Sequence, residues 1–360
     1  MTYRVLFSIA CVVTLAIEAN AQSISPERLQ QYLKQFPDAD TDKDGTLSMS
    51  EAQAYLAKMR GKKAPTTEPP LPATFPPTFA DVHYGPHQRN VLDFWQTKSD
   101  KPTPVVVFIH GGGFVSGDKS KAGGASKIQP FLDAGVSFAA INYRYRTTAP
   151  IQDVLHDCAR AIQFLRNKSV EWNIDKTRFA SYGGSAGAGT SLWLAFHDDM
   201  ADVNNADPVL RESTRLVCAG ASSTQFSYDI LRWPAVLGED NAKKYGDSQE
   251  APGFYGLKTD EELKGPIGQK LRADCDMLGL ISNDDPPVFL SVTRDAGPIM
   301  NRGDYLHHPR HAQAIYDQCK KLGVGVTADI PGLDIKPPAD GPTKERDFLL
   351  KYLLPTSIKN

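Results

Sequence analysis

The segment Gly183-Gly184-Ser185-Ala186-Gly187 reads G-x-S-x-G and is followed by helix-forming text, AGTSLWLAF. A serine in a sharp strand-to-helix turn has its hydroxyl lifted above the sheet edge, and crowding there demands small neighbours. The helix N-terminus adds positive potential beside a carbonyl under attack. Upstream, His110-Gly111-Gly112-Gly113-Phe114 directly follows the apolar run PVVVFI. Consecutive glycines let backbone N–H groups face a reacting centre, which is how an oxyanion is stabilised. Either glycine turn alone could serve packing. Together they point to nucleophilic acyl transfer through Ser185, and that chemistry needs a histidine base.

A second constellation has a different chemistry. In DTDKDGTLSMSE, Asp40, Asp42 and Asp44 stand at positions 1, 3 and 5 of an EF-hand loop, with Gly45 at the sharp turn. Thr46 offers a backbone carbonyl, Ser48 stands at position 9, and Glu51 at position 12 can bind through both oxygens. Ca²⁺ takes six to eight oxygens, and this spacing supplies them. A merely acidic loop gives no reason for that glycine and that glutamate together. One such loop, with no second beside it, suits a structural ion better than a sensor.

These residues need elements to place them. Around the loop, SPERLQQYLKQF carries a capping Ser25, Pro26 at the first helical position and a stripe of Leu29, Leu33 and Phe36. A second helix is expected over 50–60, with Tyr55, Leu56 and Met59 apolar. The proline-rich text of 61–78 reads as a semi-rigid linker. Beyond it, strands are expected in NVLDFWQ, PVVVFIH, VSFAAINYRY, RFASYGGSAG, LVCAGAS, PPVFLSV and VGVTADI, with a helix in IQDVLHDCARAIQFLRN. Strands alternating with helices give an α/β fold, a mostly parallel central sheet with helices on both faces, here joined to a small α-helical EF-hand module. A long insertion over 222–285 carries Phe226, Tyr228, Trp233, Phe254 and Tyr255 as candidates for a pocket lining.

The 360 residues are 41% hydrophobic and 23% charged, with a net charge of −2. That balance and the lack of a basic run exclude a nucleic-acid partner. Arg4, the apolar Val5–Ile17 run and Ala19-Asn20-Ala21 read as a cleavable signal peptide over 1–21, hence a secreted or periplasmic protein. The run is shorter than the roughly 18 residues a spanning helix needs. The expected order is signal peptide 1–21, EF-hand module 22–60, linker 61–78 and a catalytic domain over 79–360. Cys158 and Cys218 fall in apolar helix and strand patterns, as buried free thiols do.

HGGGF, GGSAG, NYRY at Asn142–Tyr145 and the stretch DVLHDCARAIQFLRNKSVEWNIDKTRFASYGGSAG resemble the α/β-hydrolase superfamily, in its hormone-sensitive-lipase-like and feruloyl-esterase-like carboxylesterase branch. The resemblance runs from about residue 81 to 354. It implies Ser185 as nucleophile, the Gly112, Gly113 and Ala186 amides as the oxyanion hole, and His110 as a loop-shaping residue. Asp295, just after PPVFLSV, matches the position of the acid, with Asp304 as its alternative. The family histidine loop after the last strand corresponds to IPGLDIKPPADGP, which has no histidine. The base is therefore sought in GDYLHHPRHA, among His307, His308 and His311. Pro309 keeps His308 in a loop, so His308 is the expected base, His307 the alternative, and His311 flanks a helix start.

The expected protein is an exported serine carboxylic ester hydrolase acting on short-chain acyl or aryl esters, including those on carbohydrate. It would hold structural Ca²⁺ and need no cofactor for catalysis. The alternative is a catalytically weak or inactive α/β-hydrolase scaffold serving as a calcium-dependent binding protein.

Overall fold

The computed structural model describes residues 33–34, 36–48, 51, 55, 75–246 and 251–354. The signal-peptide reading, most of both EF-hand helices and the linker up to residue 74 lie outside these. The chain divides into two units, Met1–Leu71 and Pro72–Asn360. In the first, Ala39 and Leu47 are buried together with Leu33, Phe36 and Tyr55 packed against them. Ala39 precedes the acidic loop and Leu47 lies within it, so this small cluster closes the loop on itself.

The second unit is built on a sheet of eight strands: β1 (Phe79–His83), β2 (Val91–Trp95), β3 (Thr103–Ile109), β4 (Ser137–Ile141), β5 (Ile174–Gly184), β6 (Cys218–Ser222), β7 (Val288–Ser291) and β8 (Val326–Asp329). Their order is β1-β2-β4-β3-β5-β6-β7-β8. β1 and β2 run antiparallel, and β4, β3, β5, β6, β7 and β8 are mutually parallel. Seven of the eight strands coincide with runs read from the sequence; β1 gave no signal, because its residues are half-exposed and do not alternate cleanly. Phe75 and Thr78 already serve this unit, their oxygens accepting from Trp95 Nε1 at 3.1 Å and Gln96 N–H at 3.0 Å. The last residues read as linker thus belong to the sheet edge.

Helices cover both faces. α1 (Ala125–Asp133) and α6 (Glu345–Leu353) contribute Phe131 and Phe348 to one core, with Val106, Phe138 and Phe289 from the sheet. α2 (Ile151–Asn167), α3 (Ala186–Phe196) and α5 (Arg310–Leu322) pack on the other, larger core. Sandwiching makes β3 apolar on both faces, which is why TPVVVFI does not alternate. Each such buried aliphatic side chain stabilises the fold by roughly 1.5–3 kcal/mol. Cys158, Cys218, Cys275 and Cys319 are free, buried thiols, and burial raises the titration point of each.

Register sets the position of the candidate residues. Ile109 pairs with Gly183, Gly184 with Ser222, and Ser222 with Ser291. The carboxyl ends of β3, β5, β6 and β7 therefore lie side by side. HGGGF, Ser185 and the loop leading from β7 toward GDYLHHPRHA all leave from that edge, where open α/β sheets bind ligands. This is the α/β-hydrolase fold.

Candidate active site

Ser185 turns the chain from β5 into α3 with φ of 54° and ψ of −119°, a strained conformation for a residue with a side chain. Its N–H donates to the Ser222 carbonyl at 2.9 Å, which anchors the turn to β6. The first turn of α3 lies hard against β3: a Cβ on Gly187 would come within 2.0 Å of the Ile109 carbonyl oxygen. Only glycine permits that approach, and it carries Ser185 up to the loop that follows β3.

That loop holds its amides by positive φ at Gly112 (115°), Gly113 (60°) and Phe114 (64°). Among the described residues the Gly112 and Gly113 amides donate to no protein acceptor, and Ala186 N–H sits in the first helical turn, where no intrahelical acceptor exists. His110 is a loop-shaping residue, as expected. Its ring stacks on Tyr143 at 4.2 Å, Nδ1 lies 2.8 Å from the Gly111 oxygen, and burial pulls its titration point down to about 4, Gly111 acting in the opposite sense.

Residues without an assigned role in the sequence brace this loop. Tyr143 Oη donates to the His110 carbonyl at 2.6 Å, Tyr145 Oη donates to Gly117, and Asn142 Nδ2 donates to Asp118 at 2.7 Å. Arg89 donates to the Tyr143 and Gly117 carbonyls at 2.9 and 3.2 Å and lies over the Tyr145 ring at 3.9 Å. NYRY was a visible motif, but its purpose needs β4 beside β3. Nothing in the sequence marked Arg89.

The three histidines separate cleanly. His307 Nε2 lies 2.8 Å from Ser185 Oγ, and its Nδ1 lies 3.1 Å from the Gly303 carbonyl oxygen. His308, the base expected from Pro309, is turned elsewhere: Nε2 faces the Gly297 oxygen at 3.1 Å and Nδ1 accepts the Arg310 N–H at 3.2 Å. His311 is fully buried, accepting from Phe226 N–H at 3.3 Å and facing the Tyr305 oxygen at 3.0 Å. The correction has a local cause. Residues 302–306 form a short helix, α4 (Arg302–Leu306), and His307 is its C-cap, so its ring projects from the helix end while Pro309 starts α5. Burial lowers the titration points of His307 and His308 below the ordinary 6.5, and takes that of His311 down to about 3.

Neither acid reaches the imidazole. Asp295 is exposed on the loop after β7, and among the described residues no hydrogen bond joins it to a histidine. Asp304 Oδ1 accepts from Arg294 at 2.6 Å, and its Oδ2 accepts from Met300 N–H and Asn301 Nδ2 at 3.1 and 2.8 Å. The position beside His307 Nδ1 is taken by the Gly303 carbonyl of α4.

Beside Ser185 opens a cavity of about 270 Å³ lined by Gly113, Phe114, Ala186, Tyr228, Trp233 and Phe254, among others. Of the five aromatic candidates, Tyr228, Trp233 and Phe254 line this cavity, whereas Phe226 and Tyr255 pack in the core away from it. Tyr228 is held by a 2.8 Å hydrogen bond from its hydroxyl to the Ala186 carbonyl.

In the first unit, the carboxylate oxygens of Asp40, Asp42 and Asp44 lie within 4.8 Å of one another. Asp40 Oδ1 is buried and has no hydrogen-bond partner among the described residues. Oxygens each 2.3–2.6 Å from one Ca²⁺ lie up to roughly 5 Å apart, so the group fits that ion. Glu51 spans the loop, Oε2 accepting from Ser48 Oγ at 2.7 Å and Oε1 from Thr41 N–H at 2.7 Å. The Ser48 contacts, then those of Thr41, pull its carboxyl down to about 2. Thr46 and Ser48 lie on the same loop, Thr46 donating to Asp44 Oδ1 at 2.7 Å.

Residues 92–223 match the family described as BD-FAE. A probable isoprenylcysteine alpha-carbonyl methylesterase of Arabidopsis thaliana is 31% identical over 136 residues, 38% of this chain and 28% of that protein. One from Oryza sativa subsp. japonica is 33% identical over 108 residues, 30% of this chain and 26% of that protein. The matched stretch thus spans under a third of either relative's length. Solved structures that share the fold include the following two. A truncated carbohydrate esterase from gut microbiota has a TM-score of 0.54 at 15% identity, over 73% of this chain and 90% of that one. An acetyl ester-xyloside bifunctional hydrolase from Caldicellulosiruptor lactoaceticus has a TM-score of 0.52 at 22% identity, over 72% and 87%. Among the described residues no helix is long and apolar enough to cross a membrane.

Proposed function

We propose that the protein is a serine hydrolase of carboxylic esters, with Ser185 as nucleophile and His307 as general base. The observation that carries this reading is the 2.8 Å contact between Ser185 Oγ and His307 Nε2, within the distance proton transfer requires. Ser185 Oγ attacks the ester carbonyl carbon while His307 Nε2 takes its proton. The Gly112, Gly113 and Ala186 amides receive the negative charge on the carbonyl oxygen. Collapse breaks the bond to the alcohol, which leaves with the proton from His307. Water then adds to the acyl-enzyme by the same route and releases the acid.

The apolar cavity favours a short acyl or aryl group, and relatives named as methylesterases favour esters of small alcohols. Carbohydrate-linked acetyl groups belong to the same substrate class. The serine–histidine contact speaks against the binding-only scaffold. Ca²⁺ held by Asp40, Asp42, Asp44, Thr46, Ser48 and Glu51 would tie the acidic loop together as a structural ion, and the 1–21 signal peptide would export the protein. A fluorophosphonate is expected to label the purified protein at one site, and Ser185→Ala to abolish both label and p-nitrophenyl acetate turnover. Labelling elsewhere, or none, removes the proposal.

A further inference from the structure

We infer that the third partner of the Ser185–His307 pair is a main-chain carbonyl, that of Gly303, and that the Arg294–Asp304 ion pair is the device that holds this carbonyl in place. The inference rests on the hydrolase reading above. It assigns positioning roles to two residues that touch neither the substrate nor the reacting atoms.

The Gly303 carbonyl can only accept. A proton on His307 must therefore sit on Nδ1, 3.1 Å from that oxygen, leaving the Nε2 lone pair toward Ser185 Oγ at 2.8 Å. A carboxylate in a Ser-His-Asp triad selects the same tautomer. The carbonyl belongs to a helix of five residues, too short to hold itself, so its supports matter. Asn301 Oδ1 accepts the Asp304 N–H at 3.0 Å and caps the first turn. Asp304 Oδ1 takes Arg294 at 2.6 Å, while its Oδ2 takes Met300 N–H and Asn301 Nδ2. Gly303 lies beneath that clasp: a Cβ there would stand 3.0 Å from Asn301 Oδ1 and 3.6 Å from Arg294 Nη2. The other acid, Asp295, is exposed and makes no hydrogen bond to His307 among the described residues. The turn Pro331–Leu333 after β8 packs on the backbone of 294–296, and a Cβ on Gly332 would come within 3.2 Å of Asp295 Cα.

Among the described residues Arg294 and His311 act on His307 directly, Asp304 holds Arg294, and His308 is its chain neighbour. In the purified full chain labelled with ¹⁵N-histidine, the His307 shifts are expected to report a protonated Nδ1 and a bare Nε2. Arg294→Met removes a positive charge and is expected to raise the His307 titration midpoint. Asp304→Asn leaves that charge uncompensated and is expected to lower it. Both variants are expected to lose roughly 10–100-fold in kcat with KM within about twofold, and Arg294→Lys to recover part of the loss. Asp295→Ala is expected to stay within about threefold of wild type.

An Nε2-protonated His307, or midpoints moving the same way in both variants, overturns the inference. So does a roughly 10⁴-fold loss of kcat in Asp295→Ala, the scale of a missing triad acid. Failure of the hydrolase reading looks different, since Ser185→Ala would then leave turnover unchanged while the tautomer and midpoints still judge the clasp.

Discussion

His307, His308 and His311 are one residue type within five positions, and their backbone partners decide what each can do. Both ring nitrogens of His308 and of His311 face main-chain groups, so neither has a lone pair to offer a substrate. His307 spends one nitrogen on Gly303 and turns the other to Ser185. Alanine at 307 is expected to lower kcat by several orders of magnitude, and at 308 only a few-fold. Equal losses at the two positions in a p-nitrophenyl acetate assay would remove the distinction. Burial, with the Gly303 contact opposing it and Arg294 adding to it, keeps the His307 titration point below 6.5. The neutral imidazole is the working form, so the acid limb of kcat/KM is expected below pH 6.5, and a limb above that value would contradict the described surroundings.

Elements place residues through register and through the turns that end them. The HGGGF turn, the Ser185 elbow and the loop bearing α4 leave the carboxyl ends of β3, β5 and β7, so three segments distant in sequence meet at one edge. Which histidine faces the serine follows from a five-residue helix that Asn301 caps and His307 ends. Pro309, the N-cap of α5, does keep His308 out of a helix, but the His308 ring turns to main-chain groups and not to the serine. The acidic loop is an element of another kind, its shape fixed by hydrogen bonds such as Gly45 N–H to Asp40 Oδ2 at 3.0 Å. Calorimetric titration of the whole protein with Ca²⁺ is expected to show binding that Asp40→Ala abolishes. No heat in the native chain would refute the ion site.

At the scale of the whole molecule, stability depends on how the two faces of the sheet are sealed. Glu345, at the start of α6, packs against Gly220 of β6, and its buried Oε1 has no hydrogen-bond partner among the described residues. Burial, opposed by Lys127, pushes its carboxyl from 4.5 up to about 8. Between those values the folded state keeps a proton that the unfolded chain has released, so stability falls as pH rises through that window. Glu345→Gln is expected to flatten the fall, raising the urea midpoint relative to wild type at about pH 8 while changing it little at about pH 5. A variant that tracks wild type at both would show that the carboxyl is solvated.

Residue types and short-range spacing determined the α/β alternation, seven of the eight strands, the serine elbow, the oxyanion loop and the acidic loop. Each of these is a local solution to backbone geometry, and local geometry is written in glycines, prolines and apolar runs. Tertiary structure alone decided which histidine meets Ser185, that a carbonyl takes the position expected of Asp295 or Asp304, and that Arg89 and NYRY brace the loop. Those outcomes depend on distances between segments far apart in the chain. Such distances are set by strand order and by which polar group reaches an open lone pair first, and no single stretch of sequence encodes either.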